Sequence, residues 1–261
     1  GRRAALAALP QVARAGSQLF LFSRYVEQFR GWGPTLVRAV GNWYTAMPTD
    51  KLAYQLLKYR QREGWSHRDL LRLSHPSTTD PVRRALFDHV CGRHTDDVPD
   101  LVDAVEVAQA TDRVGVWIDL LARHPGLSWE MLPDDALNQA ATWDALLDVG
   151  VPQTALMRQL PRLTRLGMLA PLGGRTAEVA GLLADPDRLL RGRVHPINVL
   201  VAQRTYAAGE SARGSGRWDP SPKIVDALDA AFYTAFGTVE PAGKRTMIGL
   251  DVSGSMSAPI A

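Results

Sequence analysis

Residues 100–110 read DLVDAVEVAQA, and their spacing decides the class of fold. Leu101, Val102, Val105 and Ala108 or Gln109 recur at helical intervals, with Asp100, Asp103 and Glu106 on the opposite side, which predicts an amphipathic helix. LAYQLLKYRQR (52–62) and KIVDALDAAFYTAF (223–236) follow the same pattern. Between such segments stand prolines and Ser, Thr or Asp starts: PTD at 48–50, GWSHRD at 64–69, STTDP at 77–81, LPDD at 132–135, DPD at 185–187 and WDPSP at 218–222. They divide nearly everything before residue 246 into helices of about ten to twenty residues. Serial short helices without intervening strands predict a mainly α chain built as a solenoid of helix pairs, with an irregular helical domain as the alternative. Phe20, Phe22, Trp43, Tyr44, Phe87 and Phe232 are expected to pack in its core.

Composition sets the outer bounds. With 261 residues, 46% apolar and 22% charged, the chain is long enough for a sizeable core in one large domain or two modest ones. A single cysteine, Cys91, excludes an internal disulfide framework and fits a reducing compartment, so the cytoplasm is the expected location. The first ten residues lack the uninterrupted apolar core of a secretory signal. No stretch approaches the roughly 20 apolar residues that cross a bilayer, so a membrane protein is not expected.

Charge is unevenly distributed. From Lys51 to His75 there are six basic residues (Lys51, Lys58, Arg60, Arg62, Arg68 and Arg72) against Glu63 and Asp69. From Asp96 to Asp148 twelve acids face only Arg113 and Arg123, and from Arg158 to Arg217 ten arginines face four acids. The run of basic, acidic and basic segments concentrates positive potential on part of the surface, which suits a phosphate backbone. Solvated helix faces are the plainer reading of the same charges.

At residue 246 the pattern changes. TMIGLDV (246–252) is short, apolar and bounded by polar residues, as a buried parallel strand is, and it is the one convincing strand signal in the chain. Asp251, Ser253 and Ser255 follow directly, so one carboxylate and two hydroxyls converge at the strand's carboxyl end, where open α/β sheets place ligands. Such hard oxygen donors suit Mg²⁺ or Mn²⁺. The spacing fits neither an aspartic-protease loop nor a nucleophile elbow. It resembles the first loop of the metal-ion-dependent adhesion site of von Willebrand factor A domains, whose other ligands come from downstream loops. The resemblance predicts residues 246–261 as the start of such a domain, cut short.

The resemblance extends backwards. KYRQREGWSHRDLLRLSHP (58–76), RVHPINVLVAQRTYAAG (193–209) and WDPSPKIVDALDAAFYTAFGTVEPAGKR (218–245), followed by DVSGS, resemble the TROVE module of the Ro autoantigen and its bacterial relatives. This implies that residues 1–245 form HEAT-like helical repeats closing into a ring, with some N-terminal helices of the family missing. It also implies a ribonucleoprotein that binds Y RNA on its outer surface and single-stranded 3′ ends of misfolded RNA in its hole. A role in RNA quality control, an exoribonuclease among the partners and a monomeric chain go with that reading.

Lys58 and Arg62, four residues apart in the expected helix, share a face from which both reach phosphates. With His75, which otherwise reads as a helix-end histidine, they match Y-RNA-contacting positions of the family. Arg60, Gln61, His67 and Arg72 are weaker candidates, and His195 reads as a capping or packed histidine. No arrangement of catalytic residues is visible in the sequence, so an enzyme is not expected. A metal-dependent protein-interaction scaffold is the alternative to an RNA-binding protein.

Overall fold

The structure, a computed structural model, describes residues 2–29, 31–93, 95, 97–171, 173–211 and 215–254, with backbone alone for Arg2 and Arg3. Sixteen α-helices are formed among these residues, and none is long and apolar enough to cross a membrane. The chain divides into two compact units, Gly1–Leu137 and Asn138–Ala261.

The first unit begins with α1 (Arg2–Ala7), α2 (Leu9–Val12), α3 (Gly16–Glu27), α4 (Pro34–Ala46) and α5 (Thr49–Lys58). A two-stranded hairpin, β1 (Gln61–Arg62) and β2 (Trp65–Ser66), leads into α6 (His67–Ser74). Then come α7 (Pro81–Val90), α8 (Asp100–Ala110), α9 (Val114–Arg123) and α10 (Asp134–Leu137). The α8 helix coincides with the stretch whose spacing predicted it, burying Val102, Val105 and Ala108 while its acids face solvent. Start signals act as read: Asp80 accepts the N–H groups of Val82 and Arg83 to cap α7, and Ser66 with Asp69 forms a capping box on α6. Leu36, Val40, Trp43 and Tyr44 lie at helical spacing on α4 and are fully buried with Phe20, Leu52 and Leu70. Each such side chain contributes about 1.5–3 kcal/mol by leaving water. Trp43 Nε1 donates to the Ala13 carbonyl, and the Gln55 side chain accepts the Gly16 N–H at 2.9 Å, so these two polar groups keep partners despite burial. Phe22 and Phe232 are only half-buried.

The second unit contains α11 (Ala140–Val149), α12 (Gln153–Arg165), α13 (Gly174–Ala184), α14 (Pro186–Arg191), α15 (Pro196–Ala207) and α16 (Pro222–Ala235). Packed on α16, helices α13 and α15 bury with it Val179, Leu183, Val199, Ile224, Leu228 and Ala231. Tyr206 ties the unit together: its hydroxyl pairs with Thr164 at 2.8 Å and accepts the Ser221 N–H, while its carbonyl accepts Trp218 Nε1. Arg175 is clamped by Asp144, Asp148 and Glu178.

Two expectations about strands are corrected. Residues 246–252 form no strand; Met247, Ile248, Leu250 and Val252 are 80% or more exposed. A parallel strand exists only by pairing with neighbours, and none lies beside it among the described residues. The hairpin at 61–66, in contrast, lies inside a stretch read as helix and turn.

Candidate nucleic-acid interface

The basic stretch 51–75 is shaped by the end of α5. The helix stops at Lys58, Tyr59 leaves helical geometry (φ −115°, ψ 56°), and the chain reverses through Glu63-Gly64. Both turn residues have positive φ, 57° and 79°, as a two-residue type I′ hairpin requires. Glycine meets this freely. Glu63 does not, and its side chain is held by Arg24 of α3 at 2.7 Å. Ser66 then caps α6: its hydroxyl accepts the Asp69 N–H, while Asp69 accepts the Ser66 N–H at 3.0 Å. Both acids of the stretch are thereby engaged, Glu63 by Arg24 and Asp69 by Ser66, and neither pairs with an arginine of the stretch.

Lys58 and Arg62 therefore do not share a helix face, which corrects the expectation drawn from their spacing. The Tyr59 ring brings them together instead, with Lys58 Nζ 5.7 Å and the Arg62 guanidinium 6.0 Å from its centroid. They differ in availability. Arg62 is exposed, whereas the Lys58 side chain is only 12% exposed, donates to the Tyr54 hydroxyl at 2.9 Å and pairs with Glu130 at 3.4 Å. Burial pulls its pKa down, but the Tyr54 hydrogen bond and the Glu130 carboxylate outweigh it, leaving the pKa above its usual value.

His67 is corrected from surface candidate to core residue. As the first residue of α6 it faces inwards with Leu70, Leu71 and Ser74, the i+3, i+4 and i+7 positions. Its Nδ1 pairs with the Tyr44 hydroxyl at 2.9 Å, and its ring lies 4.5 Å from that of Phe20. Burial drives its pKa down to about 3, so it is neutral. A Cβ at position 16 would come within 2.9 Å of His67 Nε2, so glycine is what lets α3 close over the ring.

Beside that buried face α6 carries Arg68 and Arg72, at i and i+4, and His75 follows as the C-cap; all three are exposed. Arg68 was not singled out from the sequence, although its spacing from Arg72 would have found it. Arg60 and Arg68, with Ser66, His89, Glu106 and Gln109, line an open recess of about 440 Å³. Gln61 is exposed on β1, directly opposite Ser66. Among the described residues, Arg60, Arg62, Arg68 and Arg72 have no acidic partner, so four guanidiniums face solvent across the hairpin and α6.

His75 ends α6 in the left-handed conformation, φ 42° and ψ 53°, and its backbone N–H closes onto the Leu71 carbonyl at 2.9 Å. Capping is thus done by backbone that glycine would supply with less strain, while the imidazole itself projects outwards. His195 caps α15 through Nδ1, which accepts the Ile197 N–H at 3.2 Å.

At the other end of the chain, Asp251 Oδ1 accepts the Ser253 N–H at 2.9 Å, which lowers the carboxyl pKa. Ser255, the third expected metal ligand, lies outside the described residues. Among the described residues no cluster of three His, Cys, Asp or Glu side chains stands ready for a metal.

A profile described as the TROVE domain matches residues 2–113 and 121–205. The RNA-binding protein RO60 of Caenorhabditis elegans is 34% identical over 316 aligned residues, covering 98% of this chain and 49% of that protein. RO60 of Deinococcus radiodurans is 39% identical over 264 residues, with the same coverages. The crystal structure of the Deinococcus radiodurans RO (RSR) protein matches with a TM-score of 0.78 at 37% identity, covering 94% of this chain and 50% of that one. The chain spans about half the length of these relatives.

Proposed function

The chain belongs to the TROVE-domain family, and on that premise we propose that it is the RNA-binding part of a Ro-type ribonucleoprotein, a binding protein and not a catalyst. The observation that carries this reading is the set of four solvent-facing arginines, Arg60, Arg62, Arg68 and Arg72, beside the outward imidazole of His75. Guanidiniums without acidic partners neutralise phosphates on binding, and the hairpin and α6 hold them on rigid backbone. The ligand of this surface is a structured small RNA of the Y class. Lys58 contributes less than its neighbours, because Glu130 already holds its charge.

The proposal extends to finer activities that the family resemblance suggests: binding of single-stranded 3′ ends of misfolded RNA, a place in RNA quality control, and an exoribonuclease as partner. A cytoplasmic location agrees with the free thiol of Cys91. In the C-terminal loop, Asp251, Ser253 and Ser255 would give oxygen ligands to one Mg²⁺ or Mn²⁺, with further ligands from outside this loop. The Asp251 carboxyl, held ionised by the Ser253 N–H, fits that task.

Purification from cells, followed by extraction of bound nucleic acid, tests the reading. Small structured RNA should accompany the protein and be lost when Arg68 and Arg72 are both replaced by alanine. Protein free of RNA from the outset would favour the metal-dependent interaction scaffold.

A further inference from the structure

The tip of the hairpin carries a residue that the turn itself does not ask for. A two-residue type I′ turn forms with least strain when asparagine, aspartate or glycine fills its first position and glycine its second. Gly64 meets the second condition at φ 79°, but position 63 holds a glutamate at φ 57°. Its carboxylate stands next in sequence to Arg62, within a stretch otherwise rich in cations. The backbone of Glu63 counts against the turn and its charge against an anionic ligand, so a glutamate there needs a reason.

Arg24 supplies one. From α3 its guanidinium meets the Glu63 carboxylate at 2.7 Å, and among the described residues Glu63 pairs with none of the four arginines around it. Phe20 lies one turn earlier on the same helix, with its ring 4.5 Å from that of His67. Helix α3 therefore supports the hairpin at two points, the root through Phe20 and His67 and the tip through Arg24 and Glu63. Trp65 of β2 is braced separately by Trp32, ring centroids 5.2 Å apart. The support matters because each strand has only two residues, and a two-stranded ribbon by itself is marginally stable at best in water.

Magnitudes decide what the ion pair is for. Its side chains are 54% and 40% exposed, and a pair that open to water adds little to global stability. What it does fix is the tip. Glu63 is tied to a rigid helix, so Arg62 immediately before it is presented on ordered backbone, and the carboxylate is kept off the Arg62 guanidinium. Released from Arg24, the same carboxylate would compete with phosphate for its neighbour.

We propose that Arg24 is a positioning residue for the RNA-binding surface: held on α3, it pins Glu63 and so presents Arg62 to phosphate without touching RNA itself. This rests on the RNA-binding reading above and brings into it a residue from outside the basic stretch.

Fluorescence anisotropy with a stem-loop RNA on the whole chain, with urea unfolding alongside, tests the proposal. Arg24→Gln should weaken binding about two- to tenfold, as the loss of an ordered long side chain at an interface does, and leave the urea midpoint unchanged. Arg24→Lys keeps the charge and should recover most of the affinity. Introduced into Glu63→Gly or Arg62→Ala protein, Arg24→Gln should have hardly any further effect, because the three residues act in series. An equal loss in the Glu63→Gly background would make Arg24 a direct phosphate contact and overturn the positioning role. Unchanged affinity of Arg24→Gln, a loss that comes with a lowered urea midpoint, or a lysine variant no better than glutamine would overturn it as well. In each of those cases, weakened binding by Arg62→Ala leaves the RNA-binding reading of the hairpin standing. Wild-type protein that binds no RNA, or Arg62→Ala protein that binds as wild type does, removes that reading and this proposal with it.

Discussion

Lys58 Nζ and Glu130 Oε1 lie 3.4 Å apart, with 12% and 25% of their side chains exposed, so the most sheltered cation of the basic stretch is held by a carboxylate of the same unit. The second Glu130 oxygen is buried and finds no hydrogen-bond partner among the described residues, which makes the carboxylate dependent on Lys58. Lys58→Ala should therefore destabilise the fold by roughly 1–3 kcal/mol, the cost of leaving a sheltered acid unpaired. Glu130→Gln should release the ammonium and tighten structured-RNA binding. Urea unfolding and filter binding on the two variants check both claims, and a Glu130→Gln protein with weakened RNA binding would contradict the second.

Stability and binding should part company at His75. Its left-handed backbone costs about 1–2 kcal/mol that glycine avoids. His75→Gly should raise the unfolding midpoint and lower affinity for structured RNA, whereas binding of single-stranded RNA should hardly change. A variant that is more stable and binds structured RNA as before would remove the imidazole from the interface.

The buried neutral His67 makes stability depend on pH. Its folded pKa of about 3 lies below the usual 6.5, so between these values the unfolded chain takes up a proton that the folded one refuses. The stabilisation is fully present above about pH 6.5 and declines on acidification, by up to about 1.4 kcal/mol per pH unit. His67→Gln cannot titrate and should show a shallower loss between about pH 6.5 and pH 4. Denaturant midpoints across that range, wild type against variant, measure the difference; parallel curves would contradict the assignment.

On the proposal that residues 246–261 open a von Willebrand A-like domain, Asp251→Ala in a chain carrying such a domain whole should abolish binding of Mg²⁺ or Mn²⁺, because it removes the loop's formal charge. Ser253→Ala should be milder, since water can replace a hydroxyl. Structured-RNA affinity should not move with either change. Isothermal titration with the metal alone reads the outcome, and equal heats from wild type and Asp251→Ala would sink the assignment.

The helices were legible because burial writes itself into spacing: α8 and α16 lie where their apolar periodicity put them, and Asp80 and Asp185 start helices by capping chemistry that needs no tertiary context. The hairpin at 61–66 was not legible as strand. Two-residue strands carry no alternation, and the turn that makes them rests on Glu63 adopting a conformation glycine usually takes, held there by Arg24, 39 residues away in sequence. For the same reason the geometry read for Lys58 and Arg62 differs from the one found: the spacing of four is helical, but the Tyr59 ring is what joins them. His67 was misplaced because a helix's first residue can face either way, and only the packing of Phe20 and Tyr44 decides it. The 246–252 segment reads as a strand from composition, yet pairing is a property of neighbours and not of the segment itself.

Binding of a structured small RNA across a salt series is the most direct measurement of the central claim. If the hairpin and α6 grip phosphates, the logarithm of affinity should fall linearly and steeply against the logarithm of salt, as released counterions dictate. Replacing Arg62, Arg68 or Arg72 by alanine should each reduce that slope by about one. A flat salt response, or slopes identical in wild type and all three variants, would contradict an RNA-binding role for this surface.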